Sequence, residues 1–235
     1  MPSRVNVPVR AEELDAQEDQ AERQALKKAL SRIRKDGFLL SSDPHLPCLV
    51  SLIVGEPIGG SWWGHPAGGR IYRVAEQLED HPEVLSVKLV RGKSTSVHRS
   101  WWPPLLSVAA SQATWQTQNL TPGAHRLWEL CLEHGQVRVD RLEGLPLERR
   151  QTAGDAAREI ERRLLVHAWS VHTESGRHAT ELESWAHWKR RSRFRAELPP
   201  ESEARRRFEQ RAQRMYGRPG RRGYFPWPYD PVRSP

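Results

Sequence analysis

Ten histidines, two cysteines and 29 acidic residues could furnish several kinds of reactive centre, so spacing decides which chemistry is open to this chain. Cys48 and Cys131 lie far apart, each inside an apolar run (PCLVSLIV and LWELCLE), and no CxxC pair exists. That spacing excludes a thiolate zinc site and fits two buried, reduced core cysteines of a cytoplasmic protein. His167 and His172 are five positions apart in a stretch of strand composition. Strand side chains alternate, so the two face opposite sides and make poor partners for a metal. Neither a metal nor an organic cofactor is expected. GxSxG, Walker, HExxH, kinase and dinucleotide signatures are all absent. A nuclease needs clustered acids, whereas the acids here alternate with bases along helices. A metal-free glycosylase needs only one carboxylate or polar group placed by the fold, and Glu56, Asp80 and His65 are the candidates for that role. No catalytic residue is assigned on firmer ground.

Cations and aromatics carry more information. The formal charge is +8, but residues 189–222 hold thirteen Lys/Arg against four Glu, a net of +9, so the rest of the chain sums to about −1. Such a segment is either a solvated tail or an electrostatic grip on a phosphate backbone. The run SWWGHP, residues 61–66, is the most unusual local feature. Adjacent side chains point to different sides, so one of Trp62 and Trp63 is expected in a core and the other near the surface. There, beside His65, it could stack on an unpaired or flipped base. In the alternative reading both rings fill gaps, and Gly59, Gly60 and Gly64 permit the turn.

The elements that must position these residues follow from periodicity. Residues 1–20 are acidic, Gln-rich and poor in apolar side chains, which predicts a disordered lead. Leu26, Leu30 and Ile33 fall at helical spacing between Ala21 and Lys35, ended by Asp36-Gly37. Pro47 opens CLVSLIV, a buried helix that Gly55 stops. EPIGGSWWGHPAGG cannot form a regular element. In GRIYRVAEQLEDH one face carries Ile71, Val74, Ala75 and Leu78, and another carries Arg70, Arg73, Glu76 and Glu79; His81-Pro82 ends the helix. The period then changes to two at Leu85, Val87 and Leu89. An Arg91-Gly92-Lys93 link and a second strand through Arg99 complete a hairpin with a basic tip.

Trp101-Trp102-Pro103-Pro104 opens a helix through LLSVAASQATW, with Trp101-Trp102 as a packing corner. Thr121-Pro122 caps a helix ending at His134-Gly135. A strand over 136–139, a helix over 155–164, a hairpin turning at Glu174-Ser175-Gly176 and a helix over 183–194 follow. Beyond Leu198 charge, Pro and Gly dominate, although the aromatics of YFPWPYDPVRSP suggest docking.

Each half thus shows an apolar helix, a broken connector, an amphipathic helix with arginines and a two-stranded hairpin. This order resembles the winged-helix (winged helix-turn-helix) DNA-binding fold in two tandem copies, over roughly 46–102 and 122–185. The first copy departs from the pattern, because SWWGHPAGG stands where a short second helix belongs. The fold class expected is α+β, mainly helical, with two winged-helix-like units and β-hairpin wings. The chain divides into an acidic lead (1–20), a first unit (21–118), a second unit (119–197) and a disordered, basic Pro/Arg-rich tail (198–235).

The resemblance implies phosphate contacts from cations on the third helix and wing of each unit. In the first these are Arg70, Arg73, Lys88, Arg91, Lys93, His98 and Arg99, and in the second Arg158, Arg162, Arg163 and Arg177. The partner expected is nucleic acid, specifically double-stranded DNA. No apolar run reaches membrane-spanning length and no secretory leader is visible, so the protein is expected in the cytoplasm. The leading expectation is a non-enzymatic DNA-binding protein, a regulator or DNA-transaction accessory. A DNA-repair enzyme of glycosylase type and a protein-interaction adaptor are the alternatives.

Overall fold

The computed structural model describes residues 8–229 except Glu174, Ser175 and Arg177, and over residues 8–13 the backbone alone. The chain forms two compact units. One holds residues up to Leu85 together with Ser96–His98; the other holds Ser86–Thr95 and the chain from Arg99 onward.

The first unit opens with α1 (Pro8–Asp36). Ala25, Ala29 and Ile33 form its buried face, and Gly37, at φ +90°, ends it by donating its N–H to the Ile33 carbonyl (2.8 Å). Residues 8–20 are therefore helical, against the expected disordered lead. Low apolar content misled, because Glu18 and Glu22 are anchored by arginines far along the chain, described below. Strand β1 (Phe38–Leu40) follows, fully buried and too short for its alternation to be visible in the sequence. In α2 (Leu49–Val54) Cys48 and Ser51 cap the start reciprocally and Gly55 closes the end in the left-handed region.

A single 3-10 turn at Trp62–Gly64 leads into α3 (Gly68–Glu79), whose Ile71, Val74 and Leu78 are buried. Strands β2 (Val84–Lys88) and β3 (Ser94–His98) form the predicted hairpin, and the sheet order is β1-β3-β2. Ala25, Ala29, Ile33, Leu49, Val74 and Leu78 share one core.

In the second unit Pro103 and Pro104 start α4 (Trp102–Ala109) without loss of a helical hydrogen bond. The sequence suggests one helix through Trp115, but the chain breaks at Gln112 (φ +49°) and resumes as α5 (Thr114–Thr117). Gln116 explains the break. It is fully buried, and its amide donates to the Ala109 and Arg163 carbonyls at 3.1 and 3.0 Å.

Then come α6 (Pro122–His134), capped by Thr121, β4 (Gln136–Arg138), a 3-10 turn at Val139–Arg141 and α7 (Ala153–Arg162). The hairpin of β5 (Val166–His172) and β6 (His178–Ser184) closes an antiparallel sheet of order β4-β6-β5. Leu127, Trp128, Cys131, Ile160, Val166 and Leu182 lie in its core. The two halves share a helix, a short strand, a later helix and a closing hairpin, but α2 stands between β1 and the 3-10 turn in the first half with no counterpart in the second; in both sheets the last strand is central.

Helices α8 (Trp185–Arg191) and α9 (Glu201–Tyr216) complete the unit. The predicted disordered tail is thus folded over much of its length. Ala204, Phe208 and Ala212 bury one face of α9, which lies against α4. Tyr224, Phe225 and Trp227 are buried too, with the Phe225 and Trp227 rings stacked at 4.6 Å and Phe208 at 5.0 Å from Trp101. Apolar faces at helical spacing outweigh the charge of the intervening arginines. Among the described residues no helix is long and apolar enough to cross a membrane.

Candidate nucleic-acid interface

On α3 the side chains of Arg70 and Arg73 leave the buried face as the periodicity requires, but they meet α1. Arg70 donates through Nε and Nη2 to the two carboxylate oxygens of Glu18 at 3.0 and 2.6 Å. Arg73 bonds Glu22 and also reaches Glu18 at 3.4 Å. The hydrogen bond from Arg70 holds the Glu18 carboxyl below its ordinary range. Their charges are thus already balanced inside the unit, so a phosphate would have to displace a carboxylate to reach them.

The hairpin tip is similarly engaged. Arg91 sits in the left-handed region at φ +52°, its N–H donates to the Tyr224 carbonyl at 2.6 Å, and its guanidinium lies 5.8 Å over the Tyr224 ring. The stem of Arg162 passes beside Gly92, 3.9 Å from where a Cβ would stand. Lys93 donates its backbone N–H to Val90 across the turn. His98 is mostly covered and 4.0 Å from Glu83. Lys88 is half-buried and Arg99 exposed.

In the second unit Arg158 pairs with Asp155, whose carboxyl is lowered to about 2, chiefly by the Thr152 hydroxyl. Arg163 ties down the turn after α5: its guanidinium donates to the carbonyls of Gln118 (2.6 Å), Gln116 (3.3 Å) and Asn119 (3.3 Å). Arg177 lies outside the described residues. The predicted cations are therefore mostly occupied by internal partners.

Trp62 and Trp63 depart from the expected in-and-out pair. Their rings stack at 4.3 Å and 21°, neither is buried, and Trp63 is 65% exposed with Tyr72 at 5.6 Å. In the 3-10 turn successive side chains are about 120° apart rather than on opposite faces as in a strand, which leaves the two rings free to stack on one side. His65 supports the turn, its Nδ1 accepting the Ala67 N–H at 3.1 Å. Gly68 fits closely there, since a Cβ would stand 3.0 Å from the Trp63 carbonyl oxygen. Glu56 and Asp80 are exposed.

Two arrangements were not foreseen. The first is a buried carboxylate, Glu183, on β6 opposite His167 of β5. Arg191 donates to both its oxygens (2.8 and 2.7 Å), and His187 Nδ1 lies 2.7 Å away. Burial pushes this carboxyl upward, but the bonds from Arg191 and His187, with the His167 ring 3.7 Å away, prevail and hold it at about 2. Glu183, His187 and Arg191 recur every four residues from the end of β6 to the last residue of α8, the signal available in the sequence. A carboxylate ionised this firmly fixes the hairpin to α8 rather than shuttling protons at neutral pH.

The second is the arginine surface of α8, α9 and the chain around them. Arg190, Arg193, Arg195, Arg206, Arg214 and Arg218 are exposed, and none forms an ion pair among the described residues. Arg207 and Arg211 cover the Trp101 ring at 4.6 and 5.7 Å. With Arg214 they follow the i, i+4, i+7 spacing of one stripe of α9, and Arg218 lies just beyond the end of the helix.

Among the described residues no group of three or more His, Cys, Asp or Glu is arranged to hold a metal ion. Comparisons with protein-family models, with curated proteins and with solved structures found no match.

Proposed function

We propose that this chain binds nucleic acid, specifically double-stranded DNA, through its phosphate backbone, using two tandem winged-helix-like units as a scaffold. The observation that carries the reading is the set of arginines without acidic partners at residues 189–222, on a folded support. A helical stripe of guanidinium groups presents charge at regular intervals, as a polyanion requires. A helix followed by a closing hairpin in each half (α3 with β2-β3, α7 with β5-β6), and a three-stranded sheet with the last strand central in both, support the winged-helix-like part. The role that fits is a cytoplasmic regulator or DNA-transaction accessory without catalysis of its own. Because Arg70, Arg73 and Arg163 are committed to internal partners, the arginine surface replaces the helix-and-wing cations as the main grip.

Fluorescence anisotropy with a labelled mixed-sequence duplex tests this. At about 50 mM salt the protein binds tightly, and Arg206→Gln/Arg214→Gln/Arg218→Gln weakens binding at least tenfold while leaving the thermal melt in place. Equal affinity of variant and wild type would remove the arginine surface from the interface, and absence of binding by the wild type would overturn the reading altogether.

The exposure of Trp63 favours one second reading, in which the ring receives an unpaired or flipped base, as a glycosylase-type repair enzyme would need. Alkylated or abasic duplex incubated with the protein and then alkali would show strand breaks in that case alone.

A further inference from the structure

The first unit carries a second basic surface that the sequence does not single out. Along the outer side of α1, beside Leu52 of α2, runs a groove of about 480 Å³. Lys27, Lys28, Ser31, Arg32 and Lys35 line it, and no carboxylate does. Arg32 is paired with the buried Asp36. Lys27, Lys28 and Lys35 are exposed and form no ion pair among the described residues. On this helix, by contrast, Glu18 and Glu22 on the α3 side are matched by Arg70 and Arg73. Glu18, Glu22 and Asp36 of α1 are thus matched by arginines, whereas these three lysines face an open groove.

We propose that this groove is a phosphate-backbone contact for nucleic acid, separate in sequence and in unit from the arginine surface of α8 and α9. The inference rests on the nucleic-acid reading above and extends it to the first unit. Three properties favour a polyanionic backbone over a discrete small anion. The cations are spread along the helix, with Lys28 and Lys35 separated by seven residues, about 10 Å of axial rise. The groove is lined by lysine ammonium groups on long stems, point charges that reach phosphates from a distance rather than enclosing one. Leu52 gives those stems an apolar floor to lie on while the charged ends stay in water. Duplex DNA presents a charge every 1.7 Å or so of its axis, so a cationic row of this length meets several phosphates whatever the base sequence.

The test uses the full chain and a labelled mixed-sequence duplex over a range of salt. Lys27→Gln/Lys28→Gln/Lys35→Gln should reduce the slope of log affinity against log salt by about 2–3 and weaken binding at about 100 mM salt at least tenfold. Lys28→Gln alone should remove about one unit of slope, and the triple Lys→Arg variant should bind like wild type. Circular dichroism of each variant should match wild type, since the three side chains are exposed and form no ion pair among the described residues.

If the Gln triple keeps the wild-type slope while the α9 variant loses it, the groove is not a phosphate contact and the wider reading stands. If wild type itself fails to bind duplex, the wider reading fails and this one with it. If the Gln triple leaves duplex binding intact but abolishes binding to polyglutamate, the groove serves an acidic polypeptide, and the proposal is overturned.

Discussion

Glu183 is the residue whose energetics are most sharply defined. Its carboxylate is removed from water, and three cationic or hydrogen-bonding groups converge on it. Its folded pKa, about 2, lies below the ordinary 4.5, so the associated stability is complete above about pH 5. It is lost as pH falls through that interval toward 2. Glu183→Gln leaves Arg191 without its counter-ion, and we expect a loss of about 3 kcal/mol at neutral pH in urea denaturation. The difference from wild type should shrink toward zero near pH 2; a constant difference across that range contradicts the assignment.

Arg70→Ala should behave differently. Its partner Glu18 is substantially exposed, so a loss of about 1 kcal/mol or less is expected, with duplex affinity changed less than threefold. A large fall in affinity would return α3 to the interface. The sequence displayed Arg70 and Arg73 on a charged face with Glu76 and Glu79 but not their partners, because Glu18 and Glu22 lie about fifty positions earlier and no local pattern joins them. Glu183 was hidden for the related reason that burial of a carboxylate is decided by the sheet register, which places it between Gln136 and His167.

At the scale of elements, periodicity revealed whatever was long and amphipathic. Helix α6 and the second hairpin have the predicted limits to within a few residues, and Gly55 and Gly135 end helices as glycines do. What escaped was short or disguised. Strand β1 is three buried residues, and α9 carries its apolar face on Ala204, Phe208 and Ala212, two of them small, amid arginines.

Truncation after Pro200 tests whether that helix belongs to the core. It would uncover Trp101 and remove Phe208, Phe225 and Trp227, so the melting temperature should fall by about 10 °C or more, or the product should aggregate. An unchanged melt would mean a dispensable tail. Gly135→Ala addresses a single junction. At φ +81°, with His187 2.8 Å from the new Cβ, it should cost about 1–2 kcal/mol in the same assay.

For the whole molecule, the α+β class was legible from the change of period between helices and hairpins, while the pairing of individual charges was not. A net charge counts every arginine equally, yet Arg70, Arg73, Arg163 and Arg191 are matched inside their own units. Setting these matched arginines aside leaves unpaired cations within residues 189–222, already the basic stretch of the chain, and on the lysines of α1, and these are the physical basis for binding a polyanion. The most direct test is the affinity of the intact chain for a mixed-sequence duplex, measured across salt from about 50 to 200 mM. The account predicts a straight line in log affinity against log salt with a slope of about −5 or steeper. A slope near zero, or no binding at the lowest salt, would contradict it.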